Sequence, residues 1–390
     1  MYHSKIAGSL TLRLFSVLLL TLSTLALSAH AQSLTLNLKP VGEHVAVEGT
    51  VNGQPLRLIL DTGAGTNVLT PEAAKRLGLT LTNASFQVKG AGNELMTVKQ
   101  AKIPEVRFGT ARLKNLSAVV VALPAALECD GLLGFDLFNR FVTTLDYASK
   151  TVTFSPPGTR PGGTPVPLRI NNSLPEIEAS IDGIRGWFRL DTGAGDALTL
   201  FAPFVEKNKL REKYPNRIET IVGRGVGGLL KGDMTRMESF TLGGYTIEKL
   251  PVDLSRQTGG AFFDESVAGN VGSTLLKRFV VTFDYSGNRL FLTRGPLFRA
   301  PFELNRSGLS LDFEGGKVSV VAVIPKSPGD EVGLKEGDMV TALDGRPIAE
   351  FKPGTVRAAL RRKPGSTLKL SVQSAEAAPR EVLLTLRDLL

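Results

Sequence analysis

Leu60-Asp61-Thr62-Gly63-Ala64-Gly65 returns as Leu190-Asp191-Thr192-Gly193-Ala194-Gly195, six identical residues 130 positions further on. A second pair follows in the same order. Arg140-Phe141-Val142-x-Thr144-x-Asp146-Tyr147 recurs as Arg278-Phe279-Val280-x-Thr282-x-Asp284-Tyr285, now 138 positions apart. Two ordered matches at nearly one offset mean a duplicated unit of about 125 residues. The difference between the offsets places eight extra residues between the two motifs of the second copy, expected near residues 204–217.

Both copies read as short strands. Val45-x-Val47 and Leu56-x-Leu58-x-Leu60 alternate, Val119-Val120-Val121 runs apolar, and Gly, Pro and Asn punctuate between them. The one helical stretch of the first copy is 71–77, with Thr70 as its N-cap. Each copy is therefore expected to be a mostly β lobe, residues 32–155 and 168–296, separate but closely tethered. The linker, 156–167, is rich in Pro and Gly. It is too short to let the lobes ignore each other, so they are expected to pair within one chain as a monomer. Residues 303–390 differ in texture, with a β-branched run at 318–324, a helix expected at 355–362 and two closing strands.

A strand that ends in Asp-Thr-Gly presents a carboxylate on a tight turn where glycine permits close approach. A single copy reads as a buried turn aspartate. Two copies on duplicated lobes can meet at a pseudo-two-fold axis and bring Asp61 and Asp191 within hydrogen-bond distance of each other and of one water. Carboxylates that close share a proton, so one serves as base toward the water and the other as acid toward a carbonyl oxygen. This is peptide hydrolysis without a covalent intermediate, metal or cofactor.

These residues resemble the aspartic peptidases of the retroviral type, which carry Asp-Thr-Gly-Ala. The resemblance covers residues 32–296 and implies two retropepsin-like β-barrel lobes, with Asp61 and Asp191 catalytic. It also implies that Thr62 and Thr192, beside Gly63 and Gly193, lock the two loops by hydrogen bonds across the axis. The second signature of such enzymes, two apolar residues and a glycine, fits Leu132-Leu133-Gly134 well and Asn270-Val271-Gly272 less well. Ala64 and Ala194 leave the carboxylates without a neighbouring hydroxyl donor, so the dyad is expected to titrate high and to work best at mildly acidic pH. Flaps over the substrate are expected at Gly90-Ala91-Gly92 and around Gly225 and Gly227. Asp196 stands where the first copy has Thr66, so one side of the pocket is expected to prefer a basic or polar side chain.

Residues 303–390 resemble an α+β PDZ domain of the bacterial exported type through 323–347, which reads Val-Ile-Pro-Lys-Ser-Pro, then Gly-Leu-Lys-Glu-Gly-Asp, then Leu-Asp-Gly-Arg-Pro. The resemblance implies that Gly308-Leu309-Ser310-Leu311, preceded by Arg306, is the loop that holds a peptide's terminal carboxylate, with Ser310 in place of a usual glycine. A peptide strand would then lie beside the helix near Val356 and Leu360.

Lys5 and Arg13 precede an apolar run at 14–27, and Ala29-His30-Ala31 follows as a small-x-small cleavage pattern. Residues 1–31 are therefore expected to be a signal peptide, the mature protein exported to the periplasm or secreted, and no stable membrane insertion to remain. The formal charge of +9 is spread over the length, which disfavours nucleic-acid binding. Seven basic residues between Lys207 and Lys231 form the densest such run, expected as a solvated surface. The single Cys129 cannot close an internal disulfide, and it reads as a buried structural thiol. His44 reads as exposed, and Trp187 as core. Two functions emerge: an endopeptidase acting on peptides or proteins, and a noncatalytic scaffold that binds peptides through the PDZ groove.

Overall fold

The structure is a computed structural model and describes residues 32–90, 92, 95–375 and 378–390. Residues 1–31, expected as a signal peptide, and Ala91 of the first flap lie outside the described residues.

The duplication is visible strand for strand. In spatial order the first lobe's sheet runs Lys39–Val41, His44–Val51, Gln54–Leu60, Gly131–Leu133, Asn67–Leu69, Ala111–Val120, Leu95–Phe108 and Leu81–Lys89. The second runs Arg169–Asn171, Leu174–Ile181, Ile184–Asp191, Gly269–Gly272, Leu198–Leu200, Tyr245–Ser255, Gly228–Leu242 and Ile218–Gly225. In each, the strand leading into Asp-Thr-Gly lies parallel to the strand of the second signature, Leu60 beside Leu133 and Leu190 beside Val271. The glycine ending that signature is fixed by crowding. A side chain on Gly134 would strike the carbonyls of Ala64 and Thr66, and one on Gly272 the carbonyl of Asp196.

The helix after the first motif spans Pro71–Arg76, with the Thr70 hydroxyl accepting from Ala73 N–H at 3.1 Å and Pro71 in the first turn, where its missing N–H costs nothing. The second lobe has Ala202–Lys207 here and adds Leu210–Lys213, where the surplus residues were expected.

The expectation of separate lobes is corrected by a third sheet. Leu34–Asn37, Thr151–Ser155 and Val142–Asp146 come from the first copy, and Phe279–Asp284, Arg289–Arg294 and Pro165–Pro167 complete the six strands. The second repeated motif builds its centre: Thr144 pairs with its own twin Thr282, their hydroxyls 2.8 Å apart. The linker is not free either, because Pro165–Pro167 pairs with Arg289–Arg294 at the sheet edge, a place where proline's missing donor is tolerated. Leu145, Val152, Val281 and Leu290 belong to one hydrophobic core spanning both lobes. Phe138 and Phe283 are fully buried and meet edge to face at 5.7 Å, each contributing roughly 1.5–3 kcal/mol by burial.

The carboxy-terminal unit has its own core. Its main sheet runs Leu309–Glu314, Lys317–Val323, Met339–Leu343, Thr367–Gln373 and Arg380–Thr385, leaving Leu309–Glu314 at an edge. Its helix beside the groove is Pro353–Ala359, starting two residues before the expected 355 because Pro353 suits a first helical turn, and capped at Leu360 short of the expected 362.

Candidate active site

The two Asp-Thr-Gly turns interlock. Thr62 N–H donates to the Thr192 hydroxyl at 3.0 Å, and Thr192 N–H to the Thr62 hydroxyl at 3.0 Å. Each hydroxyl then donates onward to the opposite lobe, Thr62 to Leu190 O at 2.7 Å and Thr192 to Leu60 O at 2.6 Å. All four groups are buried, so each lost partner would cost about 1–3 kcal/mol. The exchange forces the turns together. A side chain on Gly63 would collide with the Asp191 carboxylate, and one on Gly193 with that of Asp61. Neither glycine has positive φ, so close approach, and not unusual backbone geometry, is what requires them.

Gly63 N–H holds Asp61 Oδ1, and Gly193 N–H holds Asp191 Oδ1, both at 2.9 Å. The symmetry stops at the other oxygen. Asn270 Nδ2 donates to Asp191 Oδ2 at 2.8 Å, while lobe one carries apolar Leu132 at the matching position. The imperfect second signature therefore has a role that apolar residues could not fill. Burial, the adjacent Asp191 charge and a hydrogen bond with Asp191 push the Asp61 carboxyl well above the usual carboxylate range, outweighing the Gly63 and Ala64 N–H groups.

Both flaps lie over this pair. The first is the hairpin of Leu81–Lys89 and Leu95–Phe108, with Gly90 and Gly92 at its tip; the second joins Ile218–Gly225 to Gly228–Leu242 through Val226 and Gly227. The tips touch each other, Gly92 N–H donating to Val226 O at 3.0 Å, and Gly90 O accepts from Ala261 N–H at 2.9 Å. Beneath them is a cavity of about 660 Å³ that both aspartates, Asp196, Gly90 and Gly225 line.

Residues 47–137 match the family model for aspartyl protease, and residues 319–374 that for the PDZ domain. The chain carries an aspartic peptidase domain and a PDZ domain. Among solved structures, it is similar to an aspartic proteinase from Irpex lacteus, at 14% identity and a TM-score of 0.45 over 69% of this chain and 99% of that one. No curated protein matches it.

The PDZ domain is packed onto the peptidase cleft. Leu309, Ser310, Leu311, Arg357 and Leu360, the expected peptide groove, line the same cavity as the aspartates. Ser310 Oγ donates to Ile221 O on the second flap at 3.0 Å, and Arg224 of that flap pairs with Asp312 at 2.6 Å. Gly308, at φ +77°, has no room for a side chain against Ser327. Arg306 is corrected: its guanidinium is taken up by Asp388 at 2.7 Å and by Arg361 O at 2.8 Å, so it closes the domain's own fold and does not reach a peptide carboxylate.

Three residues carry more than their sequence suggested. Glu43 joins all three units, pairing with Lys277 of the second lobe at 2.6 Å and with Arg361 of the PDZ domain. Burial pushes its carboxyl up, but the two cations outweigh this and hold it at about 2. His44, expected exposed, is half-buried and lines the cleft, its Nδ1 without a hydrogen-bond partner among the described residues, because the turn before it folds over toward Gly195. Trp187, expected in the core, is half-buried beneath the Arg169 guanidinium, 3.7 Å from the ring centre. Cys129 packs on the apolar cluster of the first lobe, where burial pushes its thiol up to about 11. Part of the basic run is not a solvated face: Arg211 and Arg217 converge on buried Asp233, and Arg224 on Asp312.

Proposed function

We propose that the protein is an exported aspartic endopeptidase, active as a monomer, that cuts peptide bonds with the Asp61–Asp191 dyad and uses its PDZ groove to bind or orient the substrate chain. The observation that carries this reading is the packing of each Asp-Thr-Gly turn against the opposite aspartate, Gly63 against the Asp191 carboxylate and Gly193 against that of Asp61, at the floor of a flap-covered cleft. Asp191 takes a proton from a water whose oxygen attacks the peptide carbonyl carbon, and Asp61 gives its proton to the carbonyl oxygen. The tetrahedral intermediate then collapses, the C–N bond breaks, the proton on Asp191 passes to the amine nitrogen, and a hydroxyl proton returns to Asp61. The dyad ends with the single proton it began with.

Export rests on the basic, apolar and small-x-small pattern of residues 1–31. Substrate orientation by the PDZ domain is supported by its groove opening into the catalytic cavity. A free-standing scaffold would have no need of that opening.

The test is cleavage of a mixed peptide library by the mature chain across acidic to neutral pH, beside Asp61→Asn and Asp191→Asn. Cutting with a mildly acidic optimum, abolished by either substitution, is expected. An optimum below about pH 3, or cutting that survives either substitution, contradicts the reading.

A further inference from the structure

Behind each aspartate, one cross-strand row forms the floor of a subsite. In the first lobe it reads Ile59, Leu132, Val68, Val119, paired in that order across four strands. In the second lobe the same positions, by the same pairings, are Arg189, Asn270, Thr199 and Asp253. All eight face the cavity. One subsite is therefore apolar throughout, and its twin is polar throughout.

Within the polar subsite two carboxylates lack a cation. Asp196 accepts from the Thr199 hydroxyl at 2.6 Å and has no ion pair among the described residues. Asp253 lines the cavity with its carboxylate in neither hydrogen bond nor ion pair among the described residues, deep enough that burial, and then the Asp196 charge, push that carboxyl well above the usual range. Arg189 does not neutralise them, since its guanidinium is engaged by Asp264, Glu176 and Ala261 O. A carboxylate sunk in a pocket without a counter-charge is costly, and a bound cation removes that cost. Met234, Pro251 and Leu230 also line the cavity, offering apolar surface of the kind on which the methylene stem of a long basic side chain packs.

We infer that Asp253 and Asp196 form a receptor for a lysine or arginine side chain of the substrate, and that the first-lobe row takes an apolar side chain on the other side of the cleaved bond. This rests on the peptidase reading, because the two subsites flank the dyad. The pseudo-two-fold axis then gives the bound chain a direction: only one orientation puts its basic residue over the second lobe.

The experiment measures binding in the Asp61→Asn background, so that no cleavage is needed. Fluorescent peptide pools carrying lysine, arginine or norleucine at each position in turn are titrated at about pH 7. The expected result is one position at which lysine or arginine binds at least about tenfold tighter than norleucine, a gain that falls below about twofold on adding Asp253→Asn. Asp196→Asn, checked with Asp253→Asn for a melting transition no lower than that of the parent chain, is expected to reduce it as well. No basic preference at any position, no binding of any pool, or a preference untouched by both substitutions overturns the inference. Wild-type cleavage of the same pools separates the two readings. Cutting without regard to basic residues leaves the peptidase standing and removes the subsite, whereas an Asp253-dependent binding preference with no cutting keeps the subsite and removes the peptidase.

Discussion

Asn270 donates to Asp191 Oδ2 at 2.8 Å, whereas the matching position behind Asp61 belongs to Leu132. Two loops identical in sequence thus have different surroundings, and the carboxyls they present are not equivalent. In the proposed mechanism this difference favours Asp61 as the acid and Asp191 as the base.

Asn270→Leu restores symmetry and removes the donor. The turnover number should fall by about 10- to 100-fold with little change in KM, and the acid limb of the pH profile should move upward, because the dyad then gives up its first proton less readily. Steady-state kinetics over pH provide the check. An unchanged profile would mean that Asn270 only fills space.

Thr62→Val and Thr192→Val each delete a hydroxyl that both accepts and donates across the axis. Each should cost roughly 1–3 kcal/mol in denaturant unfolding. The double variant should lose less than the sum, since the first substitution already leaves part of the exchange unpaired.

Glu43 is held at about 2 in the folded chain, below its ordinary value. Its stabilising contribution is therefore present above about pH 4.5 and is lost as the pH falls toward 2. Glu43→Gln should lower the melting temperature at neutral pH and approach the wild type near pH 2. A deficit of the same size at both ends would point to packing in place of charge.

Asp196 has the opposite sign. Burial, foremost, raises its carboxyl to about 6, so the stability tied to its protonated form is present below about pH 3.8 and is lost as the pH rises through 6. Asp196→Asn should match the wild type near pH 4 and melt higher at pH 7.5. Calorimetry at the two pH values decides it, and a variant that melts lower at pH 7.5 would refute the sign.

The second flap is latched to the PDZ domain through Arg224–Asp312 and Ser310–Ile221. Arg224→Ala should speed amide exchange in the hairpin around Gly225 and leave the first flap unchanged. Equal exchange in both chains would mean the ion pair is idle.

The lobes, their order and the dyad were legible because the duplication left identical hexapeptides, and because glycine at 63 and 193 marks a close approach. The shared sheet was hidden in plain view. The repeat at Thr144 and Thr282 reads as a marker of duplication until the chain brings each residue to its own twin. The polar subsite was half legible: Asp196 adjoins the motif, but Asp253 reaches the pocket only through its register with Thr199 on a distant strand. Docking of the PDZ domain left no pattern in sequence, because Glu43, Arg361, Arg224 and Asp312 are ordinary surface charges until the units meet.

In the proposed mechanism two aspartates from one chain act as one unit. Its most direct test is kcat/KM for wild type, Asp61→Asn, Asp191→Asn and the double variant on one cleaved peptide. Each single substitution is predicted to cost at least about 1,000-fold, and the double no more than either alone. A single variant that keeps a tenth of the activity, or losses that multiply in the double, would contradict a shared dyad.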